Sequence, residues 1–190
     1  MDLAGRLPVA VVESYYLRRI DAFHRRMAAV RPGYGGRDEF DEVSHLVLAT
    51  DGRGCVGGLR LTVRGPDRPA LLPMEKECAG LDLVAMFPEL PLAGSPHAEL
   101  SRMVIGAIEQ PTGYSNTVAE RLFEFLWGRG NPRPDVRYVF SLSSRLHQRL
   151  FRALARLNGV DCVERPLPAA LQPGVVTPGS EFSVQAYLRR

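Results

Sequence analysis

From residue 98 onward, apolar strand patterns and amphipathic helix patterns alternate, and this run constrains the fold more than any other feature. Residues 98–108 read as a buried strand, 117–127 as a helix, 136–142 as a strand and 144–158 as a second helix. Short strands near 160–164 and 181–188 follow, separated by a Pro/Gly-rich loop. A strand, helix and strand that share one sheet cross over right-handed and lie parallel, because the intervening helix must pack back onto the sheet. Ser115 or Asn116 offers a cap for the first helix, whose core face is Val118, Leu122 and Phe125 or Leu126. The second helix sets Leu146, Leu150, Leu154 and Leu157 on one face and Arg145, Arg149, Arg152 and Arg156 on another, and Gly159 ends it.

The N-terminal half supplies different pieces. Val12, Tyr16, Arg19, Ile20, Phe23 and Met27 recur at helical spacing and predict a helix over 9–30. Pro32-Gly33-Tyr34-Gly35-Gly36 breaks it, and an acidic cluster follows at Asp38, Glu39, Asp41 and Glu42. Such a segment is either a loop that orders over a ligand or a solvated connection. Residues 43–50 and 55–63 flank the tight-turn sequence Asp51-Gly52-Arg53-Gly54 and read as a hairpin. Gly57-Gly58 inside its second strand predicts a bulge or a close backbone approach. The stretch before residue 98 is poorly patterned, with a short helix near 80–86. The order of elements predicts an α/β (α+β) layer with a mixed sheet, and a single domain over residues 1–190. A Rossmann fold would need a glycine fingerprint directly after the first strand, and none is present.

Composition narrows the function. Hydrophobic and charged fractions of 45% and 24% are those of an ordinary globular protein. No run of 18 uncharged apolar residues argues for a membrane span, and Met1-Asp2-Leu3-Ala4-Gly5-Arg6 lacks the layout of a signal peptide, so the expected location is cytoplasmic. Cys55, Cys78 and Cys162 are far apart and fit reduced packing thiols. No histidine spacing suits a metal, so none is expected. Net charge is +3, carried almost wholly by arginine with Lys76 the only lysine. That composition fits an anionic small molecule or carrier better than nucleic acid.

The chemistry concentrates in Glu99, Ser101 and Arg102, which lie in otherwise apolar strand sequence. Buried charges need partners, and a structural ion pair would supply them. In a regular strand Glu99 and Ser101 face one side and Arg102 the other, so one site can hold all three only where a bulge or splayed edge breaks the alternation. A glutamate whose pKa is raised by burial suits general-base work toward an amine. Ser141, Ser143 and Ser144 near His147 lack the GxSxG elbow of a serine hydrolase.

Taken in order, these motifs resemble the acyl-homoserine-lactone synthases, which have the GNAT acyltransferase fold. Arg19-Ile-Asp-Ala-Phe23 resembles their helix motif and Asp38-Glu-Phe-Asp41 their acidic element. His45-Leu-Val with Gly57-Gly-Leu-Arg60-Leu is similar to their hairpin and its arginine. Phe87-Pro-Glu-Leu90, Ser95-Pro-His97 and Glu99-Leu-Ser-Arg102 resemble the central signature, and Arg149 to Val160 the late helix-Gly-strand segment. The resemblance implies a mixed central sheet with helices on both faces. It implies transfer of an acyl group from acyl carrier protein or acyl-coenzyme A to the amine of S-adenosylmethionine. Lactone closure and release of methylthioadenosine then make a quorum-sensing signal, with no cofactor. On this chain Glu99 becomes the base, acting through water, and backbone amides of the following strand polarise the thioester. Arg19, Asp38, Asp41, Arg60 and Arg102 organise the N-terminal loop and hold the adenosylmethionine, Ser101 joins the same signature, and Phe23 and Phe87 line the pocket. Ser141 and Ser143 border the acyl tail, and Arg145, Arg149, Arg152 and Arg156 either dock an acidic carrier or form a solvated face. The family's tryptophan shortly after the helix phenylalanine falls at Ala29 here, and the N-terminus is short.

Overall fold

The structure, a computed structural model, describes residues 7–27, 36–51, 54–65, 70–105, 114–128, 131–172 and 181–189. The side chains of 23–27, 114–115 and 145–146 lie outside that description. Among the described residues the order is α1 (Val9–Met27), β1 (Ser44–Thr50), β2 (Cys55–Arg64), α2 (Pro73–Glu77), α3 (Leu83–Met86), β3 (His97–Ile105), α4 (Tyr114–Trp127), β4 (Tyr138–Ser144), α5 (Arg145–Leu157), β5 (Asp161–Pro166) and β6 (Phe182–Leu188). Short 3-10 turns at Asp41–Val43 and Ala169–Leu171 complete it. The six strands form one mixed sheet in the order β1-β2-β3-β4-β6-β5.

The crossover through α4 leaves β3 and β4 parallel, as the alternation predicts, with His97–Glu99 registered against Tyr138–Phe140. The last strand departs from a simple run of parallel units. β6 inserts between β4 and β5 and is antiparallel to both. Alternation on β6 then separates two cores. Val184 and Ala186 point into an apolar cluster with Leu72, Met74, Leu83, Phe87 and Phe140, which brings α2 and α3 onto one face. Tyr187 meets Phe123 and Trp127 of α4 on the other, and Phe123 stacks against Phe151 of α5.

Several boundaries moved. The helix expected over 9–30 is seen to Met27, and 28–30 lie outside the described residues. The strand expected over 98–108 is seen over His97–Ile105, with 106–108 likewise outside. Ser115 and Asn116 do not cap α4, because the helix already begins at Tyr114. Its core face takes Phe123 and Leu126 and leaves Phe125 half-buried. Strand β4 runs to Ser144, so Ser143 lies within it. The poorly patterned stretch holds two short helices, and α2 has no counterpart in the sequence reading. Gly159 ends α5 in the left-handed region (φ 65°), where its N–H reaches the Arg156 carbonyl and the Val160 N–H reaches Ala155.

The chain falls into two compact units, Met1–Arg60 with Arg102–Leu122, and Leu61–Ser101 with Phe123–Arg190. The first has its own small core, in which Tyr15, Tyr16 and Cys55 pack with Val11, Val12, Leu46, Leu48 and Val104. Gly57 and Gly58 are the close approach that the sequence predicts. A methyl group at 57 would sit 2.7 Å from Val118 Cγ1, and one at 58 would sit 2.5 Å from Leu48 Cδ2 and 3.0 Å from the Tyr15 ring. Gly58→Ala is therefore expected to destabilise the protein by about 1–3 kcal/mol, the usual cost of overpacking, read as a lower denaturant midpoint at unchanged slope.

Candidate active site

In the first unit three arginines from three elements converge on two aspartates. Arg19 on α1 donates through Nη1 to Asp41 Oδ1 at 2.6 Å, with Nη2 3.6 Å from Asp38 Oδ2. Arg60, fully buried on β2, donates to Asp38 Oδ1, and to Asp41 Oδ1 at 3.2 Å. Arg102 on β3 donates through Nε and Nη2 to Asp38 Oδ2 at 3.3 and 3.2 Å. The loop is also tied to itself. The Asp38 N–H donates to Asp41 Oδ2 at 2.7 Å, and the Phe40 N–H donates to Asp38 Oδ1 at 3.1 Å.

Aromatic rings border the cluster. The Arg19 guanidinium lies 5.5 Å from the Tyr15 ring and 5.3 Å from Tyr16, and Arg60 lies 5.6 Å from the Phe40 ring. The Tyr15 hydroxyl donates to the Arg102 carbonyl at 2.9 Å. Arg102 itself has φ 53°, the only left-handed non-glycine among the described residues. That turn interrupts strict alternation along β3 at Arg102.

Burial pushes the Asp38 carboxyl up, but Arg60, by charge and hydrogen bond, with Arg102 and Arg19, holds it below its ordinary value of 3.8. The Tyr16 hydroxyl moves up, through burial and then the Asp41 charge.

In the second unit Glu99 is buried on β3, and its Oε2 accepts the Met74 N–H at 2.7 Å. Nearby, Arg64 Nη1 donates to both oxygens of Glu75 at 2.7 and 2.9 Å. His97 is buried, its ring edge-on to Phe140 and Nδ1 2.9 Å from the Ser95 carbonyl, and burial lowers its pKa. Strand β3 is in parallel register with β4 from the His97–Tyr138 pair to the Glu99–Phe140 pair, and β4 is paired with β6 through Ser144.

Ser141 and Ser143 belong to a buried polar network. Ser141 donates to the Tyr187 hydroxyl at 3.0 Å, Tyr187 to Gln185 Oε1 at 2.9 Å, and Ser143 to the same oxygen at 3.4 Å. Gln185 Nε2 donates to the Gln148 carbonyl and to Glu164, each at 3.2 Å, and Gln148 Nε2 to the Ser143 carbonyl at 2.7 Å. Burial holds the Tyr187 hydroxyl well above its ordinary pKa, so it stays a phenol.

The structure thus gathers Arg19, Asp38, Asp41, Arg60 and Arg102 into one cluster. Phe87 is fully buried, its ring centroid 5.4 Å from that of Phe140, and Ser101 is half-buried. Phe23 lies on α1 with its side chain outside the described set, as is that of Arg145; Ala29 is outside it altogether. Arg149 and Arg156 are exposed, whereas Arg152 pairs with Glu164 on β5. Sequence reasoning missed Phe40, Arg64, Glu75 and the hydroxyl role of Tyr15. Pro73 followed by Glu75 is a helix-start signal that marks α2 in hindsight. Among the described residues no cluster of His, Cys, Asp or Glu suits a metal ion, and the cysteines are free.

The electrostatics of Asp38 give a signed expectation. Its ionised form contributes stability in full above about pH 4, and loses it as pH falls through the ordinary value toward the lowered one. Asp38→Asn is expected to cost about 2–4 kcal/mol at pH 7, because it strands buried guanidinium groups. The gap to the parent should close below pH 4 in urea titrations at stepped pH.

The sequence matches no protein-family model and no curated protein. Solved structures do match the fold. LasI, an acyl-homoserine-lactone synthase, superposes with TM-score 0.60 at 16% identity over 95% of this chain and 83% of its own. BjaI, a coenzyme-A-dependent synthase of the same kind solved with S-adenosylmethionine and isopentyl-CoA, gives 0.57 at 20% over 94% and 75%. An aminoglycoside 6'-acetyltransferase gives 0.53 at 12% over 94% and 92%. The chain therefore has the GNAT-like fold that the acyl-homoserine-lactone synthases share with acetyltransferases.

Proposed function

We propose that this protein transfers an acyl group from a thioester to the amine of S-adenosylmethionine and releases methylthioadenosine, as an acyl-homoserine-lactone synthase. The observation that carries the reading is the convergence of Arg19, Arg60 and Arg102 on Asp38 and Asp41, on a fold shared with LasI and BjaI. Those five residues are the ones that the resemblance assigns to the adenosylmethionine end.

In the proposed reaction Glu99, through a water molecule, removes a proton from the amine, whose nitrogen attacks the thioester carbonyl. Backbone amides of β4 beyond Phe140 stabilise the developing oxyanion, and the thiol of the donor leaves. The methionine carboxylate then attacks its own γ-carbon, the C–S bond breaks and methylthioadenosine departs. Ser101 joins Arg102 at the acceptor, Phe23 and Phe87 shape that end, and Ser141 and Ser143 border the acyl tail. The protein acts with substrates alone, in the cytoplasm.

A second reading, an N-acyltransferase for another amine, is favoured by Ala29 at the tryptophan position and by the match to the aminoglycoside acetyltransferase. Purified protein incubated with adenosylmethionine and a panel of acyl-coenzyme A and acyl-carrier donors separates the two. Methylthioadenosine release is expected, and its absence with every donor overturns the first reading.

Glu99→Gln should lower kcat by about 10²–10⁴ with little change in the Michaelis constant for the acceptor. Charge reversal at Arg149 and Arg156 should raise KM about 5- to 10-fold for a carrier-bound donor at low salt and leave acyl-coenzyme A unaffected. Equal KM values would remove carrier docking from α5.

A further inference from the structure

Glu99 is held as well as buried. The amide that donates to it belongs to Met74, the second residue of a helix only five residues long. So short a helix has no stability of its own and needs outside ties to keep its first turn in place. Glu75 supplies them. It is buried, its Oε2 accepts the Leu72 N–H at 2.8 Å, and Arg64 Nη1 on β2 bridges both its oxygens. Pro73, between Leu72 and Met74, fixes the backbone and has no N–H to leave unsatisfied.

We propose that Arg64 and Glu75 are positioning residues for Glu99: they lock the first turn of α2 so that the Met74 amide aims at the Glu99 carboxylate and favours its ionised form. The catalytic consequence rests on the acyl-transfer reading. The hold on the carboxylate does not.

The surroundings support the assignment. Burial, with Glu77 and Glu99 adding to it, pushes the Cys78 thiol to about 11, so it is neutral near pH 7. His97 is kept neutral by burial, with Arg64 lowering its pKa and the Ser95 contact and Glu75 opposing. Lys76 and Glu77 are exposed on α2. Arg64, partly exposed, and buried Glu75 form an ion pair on this side, and their opposite charges largely cancel. The aimed Met74 N–H donates to Glu99 Oε2 and favours its carboxylate form against the cost of burial.

The test uses the intact protein and the variants Arg64→Met, Arg64→Lys and Arg64→Met with Glu75→Gln. Arg64 is partly exposed, which favours folded variants. Carboxyl ¹³C and amide ¹⁵N spectra follow Glu99 and Met74 through a pH titration. In the parent the Met74 amide should track the Glu99 midpoint. In Arg64→Met and the double variant that coupling should weaken and the midpoint rise by about half a unit or more, with Arg64→Lys restoring part of it. The acid limb of kcat/KM should move up by the same amount, with KM for the acceptor within about twofold. An unchanged Glu99 midpoint and Met74 signal in both Arg64→Met variants overturns the proposal. A parent protein without turnover overturns the acyl-transfer reading instead, and the two spectroscopic signals still decide the clamp.

Discussion

Two aspartates set among buried arginines tie the elements of the first unit to one another. An isolated buried guanidinium is costly to desolvate, and Arg19 and Arg60 are almost fully buried. Asp38 and Asp41 make that burial tolerable, and they do so for a helix, a loop and two strands at once. The Asp38 N–H on Asp41 and the Phe40 N–H on Asp38 set the turn that presents both carboxylates. Asp38 and Asp41 thus cross-link this segment to its neighbours, while Glu39 and Glu42 are exposed.

The second unit treats its polar groups differently. Glu99 is met by a backbone amide, and Ser141, Ser143, Gln148, Gln185 and Tyr187 satisfy one another under α5. Such a network is worth its burial only when each member finds a partner. It specifies the register of β4 against β6 more sharply than an apolar surface would, because a shift by one residue would strand Gln185 and Tyr187 together.

Much of this was legible in the residues, and the reasons differ by element. The hairpin, the Gly57-Gly58 approach and the Gly159 cap follow from local chemistry, which sequence reports directly. The arginines and aspartates of the cluster were legible as an ordered set, although spacing alone left Asp38 and Asp41 open between a ligand loop and a surface. Helix α2 was not legible, because it is too short for periodicity and is held by a side chain, Arg64, at the end of the preceding strand. The insertion of β6 is a long-range choice of partner, which no local pattern encodes. Arg102 was read for its charge, and nothing about an arginine announces a left-handed backbone.

The position of β6 also sets an order of assembly. A growing chain makes β4 and β5 before the strand that joins them, so each waits with an open edge until Phe182–Leu188 emerges. The apolar cluster around Phe87 and Phe140 lacks Val184 and Ala186 until the same moment. Folding of this unit during synthesis therefore waits for Phe182–Leu188, and until then its strand edges stay open to other partners.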